Sequence, residues 1–147
     1  MKKRSNKMSL EYIDEAPTLD EYKEMRRAVN FMVLSDRIAS NALHNAFHIT
    51  CVRDNGRAVG MIRVLSDGSY ANFITDVMVI PEYQHRGIGT QMMKRTMEYM
   101  RSTLDEGETI VLYLMSATGK EPFYSRFGFR ARPNEVWGAG MSQWITK

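Results

Sequence analysis

The spacing of apolar positions divides the chain into a helical first third, an extended middle and a helix–strand alternation after it. Leu19, Tyr22, Met25 and Val29 recur at the spacing of one helix face, and Arg26 is the only charge in that stripe. Thr18-Leu19-Asp20-Glu21 forms a capping box ahead of it, with the Thr hydroxyl and the Glu carboxylate each placed to satisfy free amides. A short strand over Ser9–Ile13 precedes this helix. A second helix is predicted over 36–46, started by Ser35 or Asp36. Between the helices, Phe31-Met32-Val33-Leu34 is apolar but too short to classify by period.

From His48 the pattern becomes extended. His48–Arg53 is a strand, Asn55-Gly56 is a strong two-residue hairpin signal, and Arg57–Leu65 is the returning strand. Asp67-Gly68 repeats the turn logic, and Tyr70–Ile80 is a third strand that Pro81 ends, so 48–80 is predicted as an antiparallel meander. Ile88, Met92, Met93, Met97 and Met100 then recur at helical spacing over 87–101, which reads as core packing by methionine. Thr109–Leu114 is a continuous apolar run, as expected of a strand buried on both faces. Strand, crossover helix and strand give a parallel pair. Pro122–Phe127 is a short helix with Gly128 as its C-cap and Phe123 and Phe127 on one face. Phe129, Arg130 and the 137–145 stretch suggest a final antiparallel pair, weakened by Gly138 and Gly140.

The fold class is therefore α/β, a single-domain mixed sheet in which an antiparallel meander joins a parallel β-α-β unit with helices on both faces. Ligands in such sheets favour the carboxyl ends of strands where the connection changes, here after residue 80.

Composition narrows the function. The chain has 147 residues, 44% of them hydrophobic, enough for one cored domain over 8–147. The formal charge is +3, and Lys2, Lys3, Arg4 and Lys7 place four positive charges in the first seven residues. No aromatic residue interleaves with them, so 1–7 reads as a frayed, solvated terminus, and no nucleic-acid partner is expected. The modest basic surplus suits a small polyanion. Cys51 is the only cysteine, which rules out an intrachain disulfide, and it sits in a strand as a small hydrophobe. His44 and His48 are four apart but form no ligand pattern with other residues, and no metal is expected. The basic N-terminus lacks an apolar h-region and no run reaches the length of a membrane span, so the reading is cytoplasmic and not membrane-bound.

The chemistry concentrates in residues 76–90, where an apolar run ends at Pro81 and Gln84-His85-Arg86-Gly87-Ile88-Gly89-Thr90 opens a helix. A helix start offers free amides and a positive dipole end to an anion. The Walker spacing is absent, since no Gly-Lys-Ser/Thr follows. The dinucleotide fingerprint fails too, because Met92 stands where a third small residue is needed, and Glu106 and Glu108 precede the next strand rather than end it.

The pattern that remains, Gln-x-x-Gly-x-Gly after a Val-x-Val-x-Pro strand end, resembles the acetyl-CoA signature of the GCN5-related N-acetyltransferases. Phe123-Tyr124-Ser125-Arg126-Phe127-Gly128-Phe129 is similar to the late Tyr-x-x-x-Gly-Phe segment of the same family, and the order of elements agrees along nearly the whole chain. The resemblance implies acetyl-CoA as co-substrate, without a metal. It implies that Val77, Met78 and Val79 offer backbone groups to the pantetheine arm, and that His85, Arg86, Gly87, Ile88, Gly89 and Thr90 surround the pyrophosphate. It makes Tyr124 the acid for the departing thiolate. Asp76 is the first choice of general base, with Glu82, His85 and Glu121 as other carboxylates or imidazoles near in sequence. An Asn that the family often carries seven residues before the tyrosine is Ala117 here. The implied function is direct transfer of acetyl to a primary amine, of a small molecule or a peptide, in a ternary complex. A non-catalytic acyl-CoA sensor on the same fold is the alternative, and a homodimer through the C-terminal strand stays open.

Overall fold

The computed structural model describes residues 8–147; the basic segment 1–7 lies outside them. The chain forms two compact units, the first ending at Met115 and the second comprising Ser116–Lys147. The first unit holds a five-stranded sheet in the order β1 (Leu10–Ile13), β2 (His48–Asp54), β3 (Arg57–Ser66), β4 (Ala71–Val79), β5 (Val111–Leu114). All pairs are antiparallel except β4 with β5. Helices α1 (Leu19–Ala28) and α2 (Asp36–His44) separate β1 from β2, and α3 (Ile88–Ser102) crosses from β4 to β5. No helix among the described residues is long and apolar enough to cross a membrane.

Local signals account for most of these boundaries. The α1 capping box is present in both directions, Glu21 N–H to Thr18 Oγ1 at 3.2 Å and Thr18 N–H to Glu21 Oε2 at 2.8 Å. Ser35 caps α2 through Ile38 N–H. Asn55 and Gly56 both take positive φ, 48° and 85°, as a type I′ turn requires. The core lies under α1 and α3, where Tyr22, Met25, Met61, Ile62, Met78, Ile88, Met92 and Met93 are fully buried. In the α3 stripe Thr96 is buried and Met97 only half-buried.

Two expectations are corrected. β5 is not buried on both faces; it is the outer strand of the five, half-exposed along its length, with Tyr113 open to solvent. In the second unit α4 (Glu121–Ser125) is a single turn and no strand follows it among the described residues. The expected final pair is replaced by a side-chain-directed turn. Asn134 Oδ1 accepts from the N–H groups of Val136 and Trp137 at 2.9 and 3.0 Å, and Asn134 N–H donates to Trp137 O at 2.9 Å. Such local bonds compete with a ladder for the same backbone groups.

Candidate active site

The site in the first unit begins with an irregularity in β4. Val64 pairs with Ile74 and Arg63 with Thr75, but Met61 pairs with Met78 and Gly60 with Val79. Asp76 and Val77 together therefore oppose Ile62, which is a β-bulge, and Asp76 sits in the left-handed region at φ 49°. On the opposite edge the parallel ladder with β5 ends at Ile74–Leu114, just before the bulge. Residues 75–79 thus run on beyond β5.

The ladder also fixes which groups that edge presents. Ile80 N–H donates to Val59 O at 3.0 Å, so the alternation of an antiparallel pair directs the backbone of Met78 and Ile80 at β3 and that of Val79 away from it. Gln84 Nε2 reaches Val79 O from that side at 2.8 Å. Of the three residues expected to serve the arm, Val79 faces the open edge, Val77 is the second residue of the bulge itself, and Met78 gives its backbone to β3 and its side chain to the core. Gly60 permits the close pairing here, since a Cβ on it would lie 3.0 Å from Met78 O.

After a turn over Pro81–Tyr83, His85 and Gly87 both take positive φ, 61° and 79°, with Arg86 between them. Successive N–H groups in such a turn ahead of a helix form a concavity suited to an anion. Gly87 is the N-cap of α3, with no side-chain cap and no acidic residue in the first turn, so no capping or acidic side chain of the helix itself opposes an anion at its positive dipole end. His85, Arg86 and Gly87 are exposed, Gly89 and Thr90 half-buried, and the Ile88 side chain anchors the helix start in the core. The loop is tethered from below by Tyr83 Oη to Asp54 Oδ2 at 2.8 Å and by an Arg57–Glu82 ion pair at 3.2 Å.

The carboxylate of Asp76, the expected base, is surrounded by donors. Its side chain is buried, and both oxygens are taken: Oδ2 by Tyr22 Oη at 2.6 Å and Arg63 Nε at 2.8 Å, Oδ1 by Arg26 Nη1 at 2.9 Å. A base must present a lone pair to an incoming amine, and this carboxylate faces its donors instead. Burial and the Asp76 contact hold the Tyr22 phenol protonated above its ordinary range. In the sequence Tyr22 and Arg63 read only as two of several residues that could line the acceptor, and Arg26 has no assigned role. The one available signal was Arg26, a charge inside a buried stripe and four residues after Tyr22, which requires a buried partner.

In the second unit, Tyr124 lies on the one-turn α4, its ring 5.0 Å from Phe123 and 6.3 Å from Phe129 between centroids. It is half-buried, and burial pushes its phenol up. Gly128 takes φ 87° and closes the turn through its N–H to Ser125 O at 3.1 Å. Cys51 is buried in β2 with its thiol pushed up to about 11 by desolvation, far from a reactive thiolate.

A family model described as "Acetyltransferase (GNAT) domain" matches residues 45–131, more than half of the chain. Among curated relatives, an uncharacterized N-acetyltransferase of Porphyra purpurea is 28% identical over 98 residues, covering 65% of this chain and 54% of its own length. A histone acetyltransferase of Glycine max is 33% identical over 82 residues, covering 56% and 34%. The chain thus spans about a third to a half of the curated relatives it matches. Among solved structures, a "probable acetyltransferase" of Staphylococcus aureus superposes with a TM-score of 0.83 at 26% identity, covering 93% of this chain and all of that one. An N-acetylglutamate synthase of Neisseria gonorrhoeae, solved with coenzyme A and L-arginine, shares the fold at a TM-score of 0.67 and 14% identity, over 87% of this chain and 29% of that one. With the split strand, the anion cradle and the family match over 45–131 in agreement, the chain belongs to the GCN5-related N-acetyltransferase family.

Proposed function

We propose that residues 8–147 act as one N-acetyltransferase domain that transfers acetyl from acetyl-CoA directly to a primary amine. The observation that carries this reading is the order β-bulge, open strand edge, anion cradle within residues 76–90. An acyl-pantetheine arm needs backbone partners and a pyrophosphate needs converging amides, and both are offered in sequence. The reaction forms an N–C bond, breaks the thioester C–S bond, takes a proton from the amine and returns one to sulfur. Val77 and Val79 orient the arm, and the amides of 85–90, with Arg86 and His85 adding positive potential, hold the diphosphate. Tyr124 is assigned the sulfur-protonating role by the likeness of its segment, and its elevated pKa suits a donor. Asp76 leaves the list of bases, and water relays the amine proton in this reading. Direct transfer is favoured over an acyl-enzyme because the one cysteine is buried and protonated.

The test is a thiol-release assay with acetyl-CoA against small amines, peptide N-termini and lysine side chains. Turnover with at least one class is expected. Tight coenzyme A binding without turnover on any amine would instead establish a non-catalytic acyl-CoA sensor.

A further inference from the structure

Residue 76 is where β4 leaves its regular course. Left-handed backbone is uncommon for a residue with a Cβ, less so for asparagine and aspartate in turns, and inside a strand it calls for support from surrounding structure. Three donors converge on this side chain. Tyr22 and Arg26, four apart on α1, approach the Asp76 carboxylate together, and Arg63 approaches from β3. The same guanidinium groups continue outward: Arg26 Nε and Nη2 donate to Met32 O at 3.1 and 2.9 Å, and Arg63 Nη1 donates to Ala42 O at 3.2 Å. One buried carboxylate therefore joins β4 to α1, to the segment after α1, to α2 and to β3.

We propose that Tyr22, Arg26 and Arg63 are positioning residues acting through Asp76: they hold residue 76 left-handed and so set the bulge that presents the Val77–Val79 edge to the acyl-CoA arm. This rests on the reading that this edge receives acyl-CoA. It gives Asp76 a conformational role and no share in proton transfer. The ladder with β5 ends two residues before the clamp, and the ladder with β3 slips one residue at it. The bulge and the loss of the β5 partner thus coincide with the point that is gripped.

Removing the carboxylate alone would strand two nearly buried cations, so the test removes all the charges together. Two triple variants are compared, R26M/R63M/D76G and R26M/R63M/D76A. Glycine adopts left-handed backbone freely and alanine resists it. The glycine variant is expected to bind coenzyme A within about threefold of the wild type by calorimetry, and the alanine variant about tenfold more weakly. The backbone NMR shifts of residues 77–79, which need no ligand, are expected to stay near wild type with glycine and to move with alanine. Equal affinities and equal shifts in the two would overturn the proposal. So would a common hundredfold loss of kcat with unchanged KM and a lost acidic limb, the signature of a missing base. Should neither triple variant fold, the single Arg63→Met change decides: a three- to tenfold higher acetyl-CoA KM with kcat within twofold supports the clamp, and lower kcat at constant KM rejects it. A wild-type protein that binds no coenzyme A ends the functional reading, while the NMR comparison still tests the clamp.

Discussion

A side chain that delivers a proton must still hold it at the working pH. Tyr124 meets that condition because burial raises its phenol above the ordinary tyrosine value near 10. The sign matters: an acid is active below its pKa, so an upward shift extends the active range to higher pH. Tyr124→Phe is expected to lower kcat about a hundredfold while leaving the acetyl-CoA KM little changed. In the wild type, any fall in rate from phenol ionisation belongs above pH 10. Full activity of the phenylalanine variant across the pH range would remove Tyr124 from the mechanism. The assignment of Tyr124 comes from the sequence alone, where Gly128 and Phe129 complete a segment of fixed spacing. Asp76 was legible only as an acid next to a strand end. Its donors Tyr22 and Arg26 lie 54 and 50 positions away, and their convergence is a product of tertiary packing.

At the scale of elements, turns and caps that depend on neighbouring residues were readable. Asn55-Gly56, the Thr18–Glu21 box and the buried face of α3 follow local chemistry alone. The bulge has no local signal of its own, because its left-handed position is filled by an aspartate rather than a glycine; only the family resemblance implies a bulge in the 76–80 strand. The C-terminal stretch misled for the opposite reason: its apolar residues suggest a strand, while one Asn134 side chain redirects the backbone. The loop 84–89 was readable as glycine chemistry, and Gly87 gives it a direct test. A Cβ on Gly87 would meet nothing within 4 Å, so Gly87→Ala acts through conformation and not through a clash. Alanine at φ 79° costs roughly 1–2 kcal/mol, which the free loop relieves by reshaping and the anion-bound loop cannot. Coenzyme A affinity is expected to drop by about five- to thirtyfold, with the melting temperature lowered by only a few degrees. Unchanged affinity in calorimetry would mean that the diphosphate is held elsewhere.

At the scale of the first unit, the sheet and α3 are joined by a second polar cluster away from the proposed site. His48 on β2 is buried and stacks on Tyr99 of α3, with 3.7 Å between ring centroids. Its Nε2 lies 3.6 Å from Asp14, which follows β1. Asp14 also accepts from Thr50 Oγ1 at 2.9 Å and from Arg95 of α3 at 3.0 and 2.9 Å. Burial lowers the His48 pKa; the Asp14 charge opposes the shift and the Arg95 charge adds to it. The unfolded chain returns this imidazole to about 6.5. Between the folded and unfolded values the unfolded state binds more protons, so stability increases with pH through that window. It is fully present above about pH 6.5 and declines as the pH falls toward the folded value. Asp14, held below the usual carboxylate range chiefly by its hydrogen bond to Arg95, adds its own loss only below pH 4, in a separate window. Circular dichroism melts between pH 7.5 and 5 should therefore show a falling melting temperature in the wild type. His48→Gln, which cannot take up the proton, should be less stable at pH 7.5 through lost stacking, yet nearly flat over the same range. Parallel curves for the two proteins would show that the acid sensitivity of the sheet has another source. A flat variant would identify the single imidazole through which β2, α3 and the segment after β1 respond together to pH.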